Sequence, residues 1–268
     1  MRRALISCAL LLGAAACAPE RAAAPPPEAA APLSDAQRGL RATRALREAQ
    51  RTALGGDLAA AIPLYKEALA HFEALGDPAG QAAVHNDLGL MLYEARQLPR
   101  ARVALELARD RARQSDQPAL LTEALYNLGR AYDALALPAE ADAALAEALQ
   151  GAQDRELRAL ILNARGNARR RANQLAPALE DYQAAEALWG ELLRPLYVGV
   201  ARMNQGYCEL LRGQPDAALE RFAQARDAIA QERGADRDAL DLHLDELARL
   251  CAQDPARARA RVLEILGR

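Results

Sequence analysis

Residues 127–148 read NLGRAYDALALPAEADAALAEA, and this stretch decides the fold. Gly129 is followed twelve positions later by Ala141, sixteen later by Leu145 and nineteen later by Ala148. The same order of small residue, alanine, bulky group and alanine also starts at Ala49, Gly89, Gly166 and Gly206. The steps between starts are 40, 40, 37 and 40 residues, and the bulky groups are Tyr65, Leu105, Leu145, Tyr182 and Phe222. One small residue on a first helix and two alanines on a second let antiparallel backbones approach closely, with the bulky side chain filling the layer beside them. A motif repeated in phase at this period means hairpins stacked into an array, not a closed globule.

Turn signals fall between the copies. Gly55-Gly56-Asp57, Arg96-Gln97-Leu98-Pro99, Leu137-Pro138, Asn173-Gln174, Gly213-Gln214-Pro215 and Asp254-Pro255 separate first helices from second ones. Asp77-Pro78, Gln117-Pro118, Asp154 and Arg194-Pro195 separate one pair from the next. Proline suits a first helical turn, where its missing N–H is not needed, and an aspartate before it can cap open donors. Pro63 lies deeper in a predicted helix, a position that favours a bend. A sixth copy has Glu246 where a small residue belongs, then Ala258, Val262 and Ile265. A glutamate does not enter a tight crossing, so this copy reads as a degenerate closing unit that solvates the end of the stack.

Leu88-Gly89 with Ala101, Leu105 and Ala108, and Asn127-Leu128-Gly129 with Tyr132, Ala141, Leu145 and Ala148, resemble the tetratricopeptide repeat. The resemblance covers roughly residues 40–267. It departs from the family in its longer period and in lacking the early aromatic of each first helix. It implies an all-α, right-handed superhelical solenoid of antiparallel helix pairs, with five repeats and the closing unit.

The amino terminus carries an address. Met1-Arg2-Arg3 precedes an apolar run from Ala4 to Ala16, too short for a bilayer-spanning anchor but suited to a secretory signal. Gly13-Ala14-Ala15-Ala16-Cys17 resembles a bacterial lipoprotein cleavage site, with Ala14 where leucine is usual. That resemblance implies lipidation at Cys17; cleavage near Ala16 without lipid is the other reading. Residues 1–16 are then the signal, 17–35 a lipidated start and Ala/Pro-rich tether, and 36–268 the repeat domain. About 15 tether residues at about 3.1 Å each reach about 45 Å. Ala18 in place of aspartate implies, by the same resemblance, an outer-membrane home facing the periplasm; a periplasmic protein without an anchor is the alternative.

Composition narrows the function. A formal charge of −2 over 268 residues argues against general nucleic-acid binding, which needs a basic field. Lys66 is the only lysine, so the many arginines reflect compositional bias, and Arg169-Arg170-Arg171 reads as a solvated helix face, as do Arg257, Arg259 and Arg261. Serine occurs only at Ser7, Ser34 and Ser115, and His71, His85 and His243 have no metal-ligand spacing. No phosphate-cradling glycine loop is present. An enzyme, a cofactor, a metal and a small-molecule substrate are therefore not expected. Cys208 and Cys251 lie 43 residues apart, which leaves open a disulfide or two buried free thiols.

In the tetratricopeptide family the first helices line a concave wall that receives a peptide or partner helix. Carried onto this chain, that wall takes Asn86, Tyr93 and Glu94 from the second unit, and Tyr126, Arg130 and Asp133 from the third. The fourth unit supplies Asn163, Asn167, Arg170 and Arg171, and the fifth Met203 and Tyr207. Asparagine and arginine can bond a peptide backbone or carboxylate, and tyrosine offers rigid stacking area. Asn167 and Asn204 match part of the family's carboxylate grip, but Asn163 replaces its lysine, so that grip is not carried over. Arg165 and Arg169 replace the usual Leu and Tyr of packed positions: the helix either exposes a polar face or covers apolar neighbours with arginine stems. The expected function is a lipid-anchored periplasmic scaffold for protein or peptide partners, such as those of pilus secretin assembly or cell-wall enzymes. The alternative is a structural subunit that docks through its convex face or terminal repeat.

Overall fold

A computed structural model describes residues 33–230 and 232–265, and shows six antiparallel helix pairs. They are α1 (Asp35–Leu54) with α2 (Leu58–Ala74), α3 (Pro78–Glu94) with α4 (Leu98–Arg113), and α5 (Pro118–Ala134) with α6 (Pro138–Gly151). Next come α7 (Arg155–Arg171) with α8 (Leu175–Glu191), α9 (Pro195–Leu211) with α10 (Pro215–Ile229), and α11 (Ala235–Gln253) with α12 (Pro255–Ile265). Each second helix packs against its own first helix and the first helix of the next pair, while successive first helices meet along one wall. This is an all-α solenoid of tetratricopeptide type. Residues 1–16, Cys17 and most of the tether lie outside the described residues, as does the predicted address.

Local chemistry sets the helix starts. Ser34 forms a capping box with Gln37 at the head of α1, and Asp57, Asp77 and Asp154 each accept an N–H three residues on. Proline occupies the first turn of α3, α4, α5, α6, α9 and α10. Pro63 sits inside α2, which continues through it to Ala74. The long period has a simple origin: most helices have 16 or 17 residues and are joined by turns of three or four. α6 has only 14 residues, and that is where the step shortens to 37.

The predicted crossings are present and equivalent. A Cβ added at Gly89, Gly129, Gly166 or Gly206 would lie 2.4–2.6 Å from Leu105, Leu145, Tyr182 or Phe222, respectively. Real Cβ atoms do not approach so closely, so glycine sets the spacing of the pair. Ala101, Ala108, Ala141, Ala148, Ala178, Ala185, Ala218 and Ala225 are fully buried in the same layers. The turns are less ideal. Arg96, Ala136, Asn173 and Leu193 have left-handed φ of 60°, 57°, 63° and 56°, where Gly56, Gly76 and Gly213 serve three other turns.

The last pair departs from the pattern. Only Asp254 joins α11 to α12, and α12 packs on α9 as well as on α11. Ala258 and Val262 are buried with Tyr207, Leu211 and Leu247 in one cluster. Glu246, outside the crossing as expected of its charge, meets Arg261 at 3.4 Å. Cys208 and Cys251 are both free and buried. Burial pushes the Cys208 thiol up to about 12, so it acts as a small apolar group and not as a nucleophile.

Candidate functional site

Periodicity puts one side of α3, α5, α7 and α9 on a common wall, with Glu94 exposed on it and the other expected residues at two depths. Tyr93, Tyr126, Arg130, Asn163, Asn167, Arg171 and Met203 are half-buried, whereas Asn86, Arg170 and Tyr207 are buried. The buried three hold the wall together from beneath.

Asn86 and Asn127 illustrate this. Asn127 Nδ2 donates to Asn86 Oδ1 at 3.0 Å, and Asn86 Nδ2 donates to Glu123 at 3.2 Å. Asn204 Nδ2 repeats the bond to Asn163 Oδ1 at 3.1 Å, also 41 residues away. These bonds tie α3 to α5 and α7 to α9, so the asparagines fix the register of neighbouring first helices. Asn204 is therefore already engaged by Asn163.

At the centre of the wall, the Arg130 guanidinium lies 4.8 Å from the Tyr93 ring centroid and 5.5 Å from that of Tyr126. Tyr93, Tyr126, Arg130, Asp133, Asn163 and Asn167 converge with Leu160 and Ala164 on a small pocket of about 160 Å³. Burial raises the Tyr126 phenol above its usual range, with Arg130 acting in the opposite sense. Arg171 Nε donates to Asp133 at 2.8 Å, joining α7 to α5.

Below the wall, the Tyr182 hydroxyl and Arg170 both donate to Asn167 Oδ1, at 2.8 and 3.2 Å. Arg170 also lies 5.3 Å from the Tyr207 ring centroid. Burial drives the Tyr182 phenol far up and that of Tyr207 up to about 12, so both remain neutral donors at any physiological pH. Tyr207 reaches His243 on α11 and Met203 one turn away. Tyr207, at the fifth-unit end of the wall, is thus covered by α11 and α12.

The arginines of α7 have a role that neither expectation named. Arg165 donates through Nε and Nη2 to Asp181, at 3.0 and 2.5 Å, and Arg169 Nη1 reaches the same carboxylate at 3.0 Å. Arg169 Nε donates to Asp142 on α6 at 2.8 Å. The Asp181 side chain is only 4% exposed and that of Arg165 15%. The run 169–171 is therefore not a solvated face: Arg170 is buried, and Arg169 and Arg171 are paired across units. A second network follows, in which Arg202 and Gln205 both donate to Glu186 at 2.7 Å. The signal was Asp181 itself, which occupies the position of buried Ala104 and Ala144 in earlier units. A carboxylate there requires arginine at the positions that elsewhere hold Leu88 or Leu128 and Leu92 or Tyr132.

Beyond the wall, a cleft of about 690 Å³ opens between α1, α2 and α3, floored by Tyr65 and lined by Leu54, Leu58 and Leu90. Among the described residues no cluster of His, Cys, Asp and Glu has metal-binding geometry, and no helix is long and apolar enough to cross a membrane.

No protein-family model matches the chain, and no curated protein does. Solved structures do. The chain is similar to the apo form of RapI, with a TM-score of 0.71 at 12% identity over 84% of this chain and 83% of that one. It is similar to PilF of Pseudomonas aeruginosa, with a TM-score of 0.58 at 17% identity over 85% and 93% of the two chains. It is also similar to YrrB, described as a TPR protein with an unusual peptide-binding site, with a TM-score of 0.53 at 20% identity over 76% and 92%. At these identities the likeness is one of fold, and that fold is the tetratricopeptide-type helical-repeat scaffold.

Proposed function

We propose that this protein is a non-enzymatic scaffold that receives a polypeptide partner on the wall of α3, α5 and α7, and that it works in the periplasm from a lipid anchor at Cys17. The observation carrying the first part is the half-buried Tyr93, Arg130 and Tyr126 group beside Asn163 and Asn167, which offers stacking area and donors on a rigid surface. The fold likeness to YrrB, whose description names a peptide-binding site, is in keeping with that use. The second part rests on the Ala14-Ala15-Ala16-Cys17 sequence and the Ala/Pro stretch behind it. A tether of that reach raises the effective concentration of the wall near membrane-bound partners without adding affinity. Pilus secretin assembly and the positioning of cell-wall enzymes are the partner classes we favour, in an outer-membrane setting.

A second reading has its own support. Val103 and Leu107 on α4 lie one turn apart and are 50% and 41% exposed, an apolar strip on the side away from the wall. A structural subunit docking through its convex face would use such a strip. Photo-crosslinking groups at Tyr93 and Asn163, against the same groups at Val103 and Leu107, separate the two in cells. Partner adducts from the wall positions support the scaffold reading; adducts confined to α4 sink it. Cys17→Ser tests the anchor separately, because unchanged membrane fractionation would falsify lipidation.

A further inference from the structure

The open start of the array is unlike its interior. Each later first helix packs on the second helix before it, and two positions on that side are buried: Val84 and Met91 on α3, Ala124 and Ala131 on α5. On α1, which no described helix precedes, the same two positions hold Arg44 and Arg51, both exposed. Leu40, Arg44, Arg47 and Arg51 follow one another at spacings of four, three and four, so they form one stripe on the helix. Leu40 is 74% exposed, and the stripe borders a broad open hollow of about 960 Å³ with Thr43, Phe72 and Leu75. The helix carries five arginines against Asp35 and Glu48, in a chain whose formal charge is −2. Among the described residues no carboxylate pairs with Arg44, Arg47 or Arg51, whereas Arg113 on α4 holds Glu147 at 2.8 Å.

We propose that this face of α1 rests on the anionic phosphates of a membrane lipid surface, with Arg44, Arg47 and Arg51 as counter-ions and Leu40 entering among the headgroups. The inference rests on the membrane setting proposed above and concerns the end of the array, away from the partner wall. Three features select the lipid surface. First, the three guanidinium groups are spread over about 10 Å of helix, so a sheet of phosphodiesters meets them all where one carboxylate would meet one. Second, α1 follows the tether directly, and a reach of about 45 Å exceeds the screening length of about 8 Å, so the attraction acts only when α1 itself meets the surface. Third, a second copy is a poor occupant. The stripe facing itself sets like charges together, and the far end of the array exposes Arg257 and Arg259 on α12.

The test uses the chain from Ala18 onward, which carries no lipid; the helices from Ser34 on form one compact unit by themselves. Sedimentation with vesicles of phosphatidylglycerol mixed into phosphatidylcholine is compared with sedimentation with phosphatidylcholine alone. The expected result is at least about ten-fold tighter binding to the anionic vesicles, lost as salt is raised. Arg44→Gln/Arg51→Gln lowers that binding at least about ten-fold, with melting unchanged because both side chains are exposed. Arg257→Gln/Arg259→Gln removes the same charge from the far end and leaves binding as it was. A polarity-sensitive dye on Thr43→Cys shifts on binding, and the same dye on Val103→Cys does not; Cys208 and Cys251 are buried and escape labelling. Equal binding to neutral vesicles, no binding, tighter binding of polyglutamate than of vesicles, an equal loss in both double variants, or self-association abolished by Arg44→Gln/Arg51→Gln overturns the proposal. None of these measurements involves Cys17. Failure here beside Cys17-dependent fractionation in cells removes the surface contact and leaves the anchor reading standing. Vesicle binding as expected, beside fractionation that ignores Cys17, supports the contact and removes only the anchor.

Discussion

Gly129 faces Leu145 so closely that a methyl group on its α carbon would lie 2.5 Å from Leu145 Cγ, which is fully buried. Alanine at position 129 gains about 1 kcal/mol of helix propensity but overpacks the crossing by about 1–3 kcal/mol. Gly129→Ala is expected to destabilise by up to about 2 kcal/mol on that balance. Combining it with Leu145→Ala should cost less than the two single losses added together, because the new methyl enters the vacated space. Urea unfolding of the four proteins checks this; strict additivity would show that the crossing is not the contact described.

Asp181 is shared by Arg165 and Arg169 in a nearly sealed layer. Asp181→Ala leaves two guanidinium groups without their common acceptor and is expected to cost about 3–5 kcal/mol. Adding Arg165→Leu and Arg169→Tyr, the residues that the third unit uses, should recover most of that loss. Thermal and urea midpoints of the single and triple variants decide the matter.

Leu193 and Ala136 hold left-handed backbone where a side chain is unfavourable, and Leu193 is 84% exposed besides. Left-handed conformation costs an L-residue about 1–2 kcal/mol, and the looser unfolded chain of a glycine variant returns part of that. Leu193→Gly and Ala136→Gly are each expected to stabilise by about 0.5–1 kcal/mol. Gly213→Ala, at φ 78°, should lose stability in the same assay.

Burial holds the His85 and His243 imidazoles below their ordinary value, with Arg111 acting in the same direction on the first and Arg261 on the second. Above about pH 6.5 both the folded and unfolded chains carry neutral rings, and neither histidine affects stability. As pH falls through that value the unfolded chain takes up protons that the folded one resists, so stability declines until the lowered folded values are passed. Asp87, raised chiefly by burial, acts in the opposite sense nearer the carboxylate range. Unfolding midpoints between pH 7.5 and 5.5 should fall in the wild type and flatten in the His85→Gln/His243→Gln variant.

The helix pairs and their crossings were legible because glycine and alanine at a close approach have few substitutes, so Gly89 and Gly206 announce what they touch. The turns were legible from proline and aspartate, except where Arg96, Ala136 and Leu193 take a conformation their identities do not advertise. The wall was legible by position but not by depth. Asn86, Arg170 and Tyr207 share the spacing of Asn163, Tyr93 and Asn167, respectively, yet neighbouring units bury them, and burial depends on contacts 36–41 residues away. The α7 network was missed because its key, Asp181, is one residue beside a conserved-spacing aromatic and looks like ordinary surface charge until its partners are placed.

The polar ties between the third, fourth and fifth units have a bearing on how such a chain can change over generations. Where hairpins nest only through alanine and glycine, one module fits its neighbour about as well as another, and whole copies can be lost or duplicated. Asp133 with Arg171, Asp142 with Arg169, and Asn163 with Asn204 each need a particular neighbour. Asn86 with Asn127 and Gln50 with Asp87 extend such ties toward the amino terminus, so no module of this array exchanges freely with another.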